Sequence, residues 1–144
     1  MKEMILKEVI MKRVVLIVML ISVALNLLGT EPAKFLGYWQ PEDGKAIYEI
    51  FFQDNLYHVK TVWVAEDAKE RQKNSLDKTF IQDLEYSPAK GELIAGRMNI
   101  EKRKIKCNIE REKAGNLKVT LKAGIMKRSI SWIPAKYESS DVKN

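Results

Sequence analysis

The chain has 144 residues, a length that fits one domain, and it carries a formal net charge of +6. Hydrophobic residues make up 46% of the chain and charged residues 31%, a balance that is typical of a folded globular protein and argues against intrinsic disorder. One cysteine (Cys107) and one histidine (His58) exclude an internal disulfide, a cysteine-based metal cluster and a histidine-rich zinc site. We expect no metal and no cofactor.

Residues 1–30 have the layout of a secretory signal peptide. Residues 14–28 carry no charge, and Lys12 and Arg13 stand directly before them. This apolar run is shorter than the roughly 20 residues of a transmembrane helix. An uncleaved N-terminal anchor is the alternative, and the start (Met1 or Met11) and the cleavage point stay open. Either way we predict that the protein is exported, to the periplasm or the medium.

A hairpin follows a first short strand. Residues 37–40 predict that strand, and Pro, Asp and Gly at 41–44 favour a turn. In the next predicted strand, 45–53, alternate residues are apolar and fall on one face. Asp54 and Asn55 predict a tight turn into the return strand, 56–65. The apolar face of the strand at 45–53 consists of Ala46, Tyr48, Ile50 and Phe52.

The rest of the chain continues in strands joined by short turns, apart from a highly charged connection at 66–78. The further predicted strands are 79–86, 93–100, 104–111, 117–123 and 125–133. We predict an all-β fold, an antiparallel up-and-down β-barrel of about eight strands over residues 31–134, with a polar tail at 135–144. The interior of such a barrel is just wide enough for side chains or for one small ligand.

The two ends of this barrel sequence resemble a known family. Gly37 and Trp39 form a Gly-x-Trp motif on the first strand, and Arg128 and Trp132 share a face of the last strand. The combination resembles the lipocalin superfamily. A wider match resembles the secreted bacterial family called domain of unknown function 2147: the run from Gly37 through Glu49 and Ile50, then Val62 and Trp63 after a tight turn, then Arg128 and Trp132. The resemblance implies a signal peptide, a lipocalin-like barrel, and a barrel-closing role for Gly37, Trp39, Arg128 and Trp132. It implies no activity, since that family has none established.

No catalytic constellation is evident, and we predict that the protein is not an enzyme. A catalytic base needs an orienting partner in a pocket, whereas alternation places His58 on the outer face. Cys107 lies among apolar strand neighbours, which favours a buried, inert thiol. The basic run at 102–106 is typical of the outer face of a strand; contact with an anionic surface is the alternative. Export makes nucleic acid an unexpected partner.

The predicted inner face offers a candidate ligand site. Tyr48, Phe52 and Trp63 would line an apolar cavity together with Phe80, Met98 and Met126, and Gln82 or Arg128 would supply polar contacts. We predict binding of a small hydrophobic or amphiphilic ligand. The alternative is a barrel filled by these side chains that acts as an envelope or secreted protein-interaction module. The sequence leaves the oligomeric state open.

Overall fold

The computed structural model describes residues 2–28, 31–69 and 75–138, except for the side chains of residues 22–28 and 31. The chain divides into two compact units, Met1–Ala33 and Lys34–Asn144. The first unit contains helix α1 (Lys2–Leu28). In the described part of the chain, none of the helices combines the length and the apolar character that crossing a bilayer requires. Residues 29 and 30, at the end of the predicted signal segment, lie outside the described residues.

The second unit is a closed antiparallel barrel of eight strands in sequence order, which confirms the predicted fold class. A short 3₁₀ helix (Glu31–Lys34) leads into it. The first and last strands pair and close the barrel, with Trp39 opposite Pro134. The strands are β1 (Gly37–Pro41), β2 (Ala46–Gln53), β3 (Leu56–Val64), β4 (Thr79–Ser87), β5 (Glu92–Ile100), β6 (Arg103–Arg111), β7 (Leu117–Ala123) and β8 (Met126–Pro134).

The up-and-down topology gives the barrel two distinct ends. The Phe35 end carries the start of β1 and the β2–β3, β4–β5 and β6–β7 turns. The mouth carries the β1–β2, β3–β4, β5–β6 and β7–β8 connections. Two-residue turns are frequent, and the predicted hairpin at Asp54 and Asn55 is one of them, since both residues have positive φ (55° and 64°).

The core lies inside the barrel and is continuous from the Phe35 end to the middle of the strands. It consists mainly of residues that alternate along the strands, so that each strand gives one face to it. In β6 and β7 this alternation is regular, with Cys107, Ile109, Leu117 and Val119 all buried. Its buried members are Phe35, Trp39, Ile50, Val59, Ile81, Leu84, Leu93, Met98, Cys107, Ile109, Leu117, Val119 and Trp132.

Irregular pairing breaks the alternation in β2–β5. The register shifts between Ile47 and Tyr48, at two places in the β3–β4 pair, and between Leu93 and Gly96. Each shift inserts an unopposed residue, which moves the following side chains to the other face of the sheet. Strand assignments made from strict alternation therefore go wrong in these segments.

The start of the predicted C-terminal tail packs on the outer surface of the barrel. The backbone N–H of Ala135 donates to the Tyr38 carbonyl at 3.0 Å, and the Tyr137 hydroxyl donates to the Val62 carbonyl at 3.3 Å. The rings of Tyr38 and Tyr137 lie edge to face at 5.1 Å. Residues 135–138 thus extend the barrel domain, and the remaining tail residues, 139–144, lie outside the described residues.

Gly96 marks a close approach between β4, β5 and β6. It has no room for a side chain, because a Cβ there would overlap the Leu84 side chain and lie 3.0 Å from the Cys107 carbonyl oxygen. Leu84 and Cys107 are both fully buried, so neither can move aside at low cost.

We predict that Gly96→Ala lowers the free energy of unfolding by roughly 1–3 kcal/mol, the usual cost of overpacking a core. Urea unfolding followed by circular dichroism measures this difference. Leu84→Ala provides the control, since it empties the space that the new methyl group needs. The cost of Gly96→Ala should shrink in the Leu84→Ala background, and an unchanged cost would show that the overlap is not the cause.

Candidate ligand-binding mouth of the barrel

The Phe35 end is closed by the segment that leads into β1. Phe35 is fully buried, and its carbonyl accepts a hydrogen bond from the Trp39 indole N–H at 2.9 Å. This bond satisfies the polar atom of a buried tryptophan and fixes the lead-in segment across the end of the barrel. Gly37, between these two residues, has φ 125°, a conformation that glycine adopts readily.

Arg128 does not lie at this closed end. It pairs with Leu121 near the start of β8, whereas Trp39 pairs with Pro134 at the end of that strand. Six residues of strand separate the two positions, about 20 Å. Arg128 and Trp132 do share the inner face, as alternation predicts, but the barrel-closing role that the resemblance implied for Arg128 is wrong.

Arg111 is the arginine that the structure brings to the Phe35 end. It pairs with Leu117 at the end of β6, on the inner face, and its Nε atom is buried. The sequence held the signal, because the alternation of Ile105, Cys107 and Ile109 continues to position 111. Alternation shows which face of a strand a residue lies on, but not how far along the barrel axis it lies. The strand register is needed to decide whether Arg111 or Arg128 lies at the Phe35 end.

An aromatic cluster forms the floor of the mouth. The Tyr48 ring lies 5.0 Å from Phe80 and 4.8 Å from Trp132, and Phe80 lies 6.4 Å from Trp132. Trp132 is buried, while Tyr48 and Phe80 are half-buried. Burial raises the pKa of the Tyr48 phenol, and the negative charge of Asp43 raises it further. Tyr48 is therefore a neutral hydrogen-bonding group set in an apolar floor.

Apolar side chains continue from this floor toward the mouth. Ile105, Leu121 and Ile130 pack against the core but are only half-buried. Register pairs place them on the inner face, since Ile105 is opposite the buried Met98 and Ile130 is opposite the buried Val119. Beyond them, Arg128 stands exposed beside Leu121. The mouth thus combines a partly uncovered apolar inner face with a cation at its edge.

The structure assembles only part of the predicted ligand site. Tyr48 and Phe80 are in the mouth, and Met98 is buried below it. Phe52 lies at the Phe35 end, 52% exposed, with its ring tilted against that of Tyr57 at a centroid distance of 4.8 Å. Met126 has an inner-face position but is 75% exposed beyond the mouth.

The strand irregularities place the side chains of Trp63 and Gln82 on the outer face, contrary to the sequence prediction. Trp63 pairs with Ile47 on the outer face and is 41% exposed, because the register shift after Ile47 reverses the alternation of β3. Gln82 is exposed and Ile81 is buried in its place, because β4 is irregular around Asp83, which has φ 63°. The prediction that these two side chains face the interior is therefore wrong.

Comparison with known proteins supports the fold and not a function. No protein-family model and no curated protein matches this sequence. Among solved structures, the chain is similar to protein HP1028 from the human pathogen Helicobacter pylori, which is described as belonging to the lipocalin family. The similarity has a TM-score of 0.51 at 13% sequence identity, and it covers 76% of this chain and 86% of that chain. This protein has a lipocalin-like barrel fold.

His58 has a structural position on the outside of the lipocalin-like barrel. Its Nδ1 accepts a hydrogen bond from the Asp83 backbone N–H at 3.3 Å, which leaves Nε2–H to donate to the Gln53 carbonyl at 3.1 Å. The ring also lies 5.4 Å from Phe51. Both nitrogens are thus used in holding β3 to its neighbours.

Polar residues outline a shallow groove of about 220 Å³ on the outer surface of β5–β8. Glu92 and Glu110 stand opposite each other in it, and Lys118 lies 3.5 Å from Glu110. Burial raises the pKa of Glu92, and the hydrogen bond with Glu110 and its charge raise it further. Among the described residues, no three His, Cys, Asp or Glu side chains form a group that could hold a metal ion.

Cys107 is fully buried, and burial raises the pKa of its thiol to about 12. We predict a consequence for stability at alkaline pH. The unfolded chain releases this proton near pH 8.5 and the folded protein near 12, so the thiol lowers the free energy of unfolding as the pH rises between these values, by about 1.4 kcal/mol per pH unit at most.

Urea unfolding of the natural chain and of Cys107→Ala at about pH 7 and about pH 10 isolates this contribution. Lysines and tyrosines titrate in both proteins, so their effects cancel in the comparison. The natural chain should lose more stability than Cys107→Ala between the two pH values. Equal losses would mean that the thiol titrates normally in the folded state.

Proposed function

We propose that the protein is an exported carrier that binds a small hydrophobic or amphiphilic molecule in the mouth of its lipocalin-like barrel. The observation that carries this proposal is the difference between the two ends. The Phe35 end is closed by buried side chains, whereas Tyr48, Phe80, Ile105, Leu121 and Ile130 leave apolar inner surface partly uncovered at the mouth. Apolar surface inside a concave rim, with a few polar groups, is the usual character of a small-molecule site.

The chemistry of the rim favours an amphiphile with an anionic head. Arg128 stands beside Leu121 at the edge of the apolar surface. A guanidinium group there can pair with a carboxylate or phosphate while the apolar part of the ligand lies on Leu121, Ile130 and the aromatic floor. The neutral Tyr48 phenol would donate a further hydrogen bond. The proposal thus gives Arg128 a role in ligand binding at the rim of the mouth.

We also propose where the protein is located and which family and functional class it belongs to. The charge pattern of residues 1–30 supports export to the periplasm or the medium, and the barrel supports membership of the secreted family called domain of unknown function 2147. A binding protein, and not an enzyme, agrees with a buried Cys107 and with a His58 whose nitrogens both hold the fold.

A second candidate is a protein-interaction module of the envelope or the medium with a barrel that holds no ligand. The number of side chains that fill the interior favours it, since residues from every strand are buried in one cluster. In that case the half-buried mouth residues would simply be the solvent-facing top of a solid core.

Ligand binding is tested with the full chain, exported and purified without detergent. Native mass spectrometry should show a discrete added mass that is lost on denaturation. Fluorescence titration with a pyrene-labelled fatty acid should give weaker binding for Tyr48→Ala and Phe80→Ala, by about tenfold each, because each change removes buried apolar contact. Phe52→Ala and Trp63→Ala are matched controls, because these aromatic side chains lie outside the mouth.

Arg128→Gln tests whether the charged head group of the ligand contributes to binding. It should weaken binding of the fatty acid by about tenfold and leave binding of the corresponding labelled alcohol unchanged, because only the acid carries a charge. A bare mass, together with probe binding that no mouth variant changes, would overturn the carrier proposal and favour the interaction module.

Export is tested separately with a fusion of residues 1–30 to alkaline phosphatase, which is active only outside the cytoplasm. We predict an active fusion, because Lys12 and Arg13 precede an uncharged apolar run. Replacing Ile17 and Leu20 by Asp should abolish the activity, since charges interrupt that run. An inactive fusion with residues 1–30 intact would contradict export.

A further inference from the structure

The two hairpin tips of the mouth on the β5–β8 side have an unusual surface. The β7–β8 turn consists of Gly124 and Ile125, and Ile125 is fully exposed, followed by the exposed Met126. The β5–β6 turn, at Glu101 and Lys102, follows the exposed Ile100. The tips therefore hold exposed apolar side chains at the mouth of the barrel.

The two tips lie side by side. β6 and β7 are paired, with Lys106 opposite Lys122, so that both turns extend beyond this pair in the same direction. Each is a tight turn of two residues with positive φ at its first position. A two-residue turn holds its side chains in a defined orientation, and the apolar side chains at the tips are thus presented by the sheet itself.

A collar of basic residues surrounds these apolar tips. All of its members are exposed, and within the described part of the chain none of them takes part in an ion pair. Residues 117–134 contain no acidic residue, and Glu101 is the single acid in residues 97–106. The collar consists of Lys102, Arg103, Lys104, Lys106, Lys122, Lys127 and Arg128.

We propose that these tips dock the barrel, mouth first, onto the surface of an anionic lipid bilayer. Exposed apolar side chains at the tips suit the boundary between head groups and acyl chains, and unpaired lysines and arginines around them suit the phosphates of anionic lipids. The match of charge and polarity is to a layered surface, apolar below and anionic above. An acidic protein would satisfy the basic collar but leave Ile125 and Met126 without a matching layer.

This inference goes beyond the proposed carrier function and does not depend on it. The barrel could dock with a filled interior, and it could carry a ligand without docking. If both hold, the mouth opens toward the bilayer, and an amphiphile can exchange between the membrane and the barrel without crossing water.

The test uses the full chain with Cys107→Ala and one environment-sensitive fluorophore on a new cysteine. Asn99→Cys places the label next to the tips, and Ala114→Cys places it in the turn between β6 and β7 at the Phe35 end. The proteins are mixed with vesicles of equal parts phosphatidylglycerol and phosphatidylcholine that also contain a quencher-bearing lipid. The label at 99 should be quenched and the label at 114 should not.

Two pairs of variants identify the groups responsible. Lys122→Glu with Lys127→Glu should raise the lipid concentration for half-maximal quenching at position 99 by about tenfold or more. Ile125→Ser with Met126→Ser should do the same, since both side chains lose their burial in lipid. The controls, Lys90→Glu with Lys113→Glu and Phe52→Ser, change the same kinds of residue at the Phe35 end and should stay within about twofold of the parent.

Added salt and vesicles of phosphatidylcholine alone should each reduce the quenching at position 99. Vesicle binding through the N-terminal segment alone would leave position 99 unquenched, or equally quenched with position 114, and would overturn the proposal. Quenching at position 99 that the mouth variants do not reduce would overturn it as well. Neither result would bear on fatty-acid binding, which is measured without vesicles.

Discussion

The pairing of β1 with β8 is the constraint on which the rest of the barrel depends. It is short, from Trp39 opposite Pro134 to Pro41 opposite Trp132, yet it turns an open sheet into a closed one. Closure satisfies the backbone groups of both edge strands and commits one face of every strand to the interior. Trp39 and Trp132, the two tryptophans of the β1–β8 pairing, are buried, so closure and core packing stabilise each other.

The way the chain enters β1 also explains why the two ends of the barrel differ. The chain enters β1 through Phe35, whose carbonyl accepts the Trp39 indole bond, and this crossing fills one end of the barrel. No comparable segment is described at the β5–β8 side of the other end, where inner-face residues from Ile105 to Arg128 are increasingly exposed. A barrel that is closed at one end and uncovered at the other can hold a guest without losing its core.

The number of strands, their order and most of their bounds could be predicted from the sequence. Each strand places one face on the core, so alternation and turn residues such as Asp54 and Asn55 mark the elements directly. The outward Trp63 and Gln82 could not be predicted, because a bulge adds one residue without altering the apolar character of the strand. Arg128 lies on the predicted face but at the opposite end of the barrel. A shared face does not specify height along the barrel, so this position could not be predicted.

Part of the candidate site depends on irregular strand segments, which alternation does not describe. Phe80 reaches Tyr48 and Trp132 from an irregular part of β4, where the β3–β4 register shifts between Ile81 and Thr79. On the next strand, Gly96 allows a similarly irregular segment to pack closely, because only a hydrogen fits beside Leu84. Sequence reasoning therefore identified the barrel and several of its inner residues, but the shape of the mouth follows from the bulges.

The most direct test of the central claim, that the mouth half of the interior takes up an apolar guest, is methyl NMR with isoleucine-labelled protein titrated with dodecanoic acid. Ile105 and Ile130 report on the mouth, and Ile50 and Ile109 on the closed half. We predict large, saturable shifts at Ile105 and Ile130 and small ones at Ile50 and Ile109. Saturable binding that leaves Ile105 and Ile130 unchanged, or no binding at all, would contradict it.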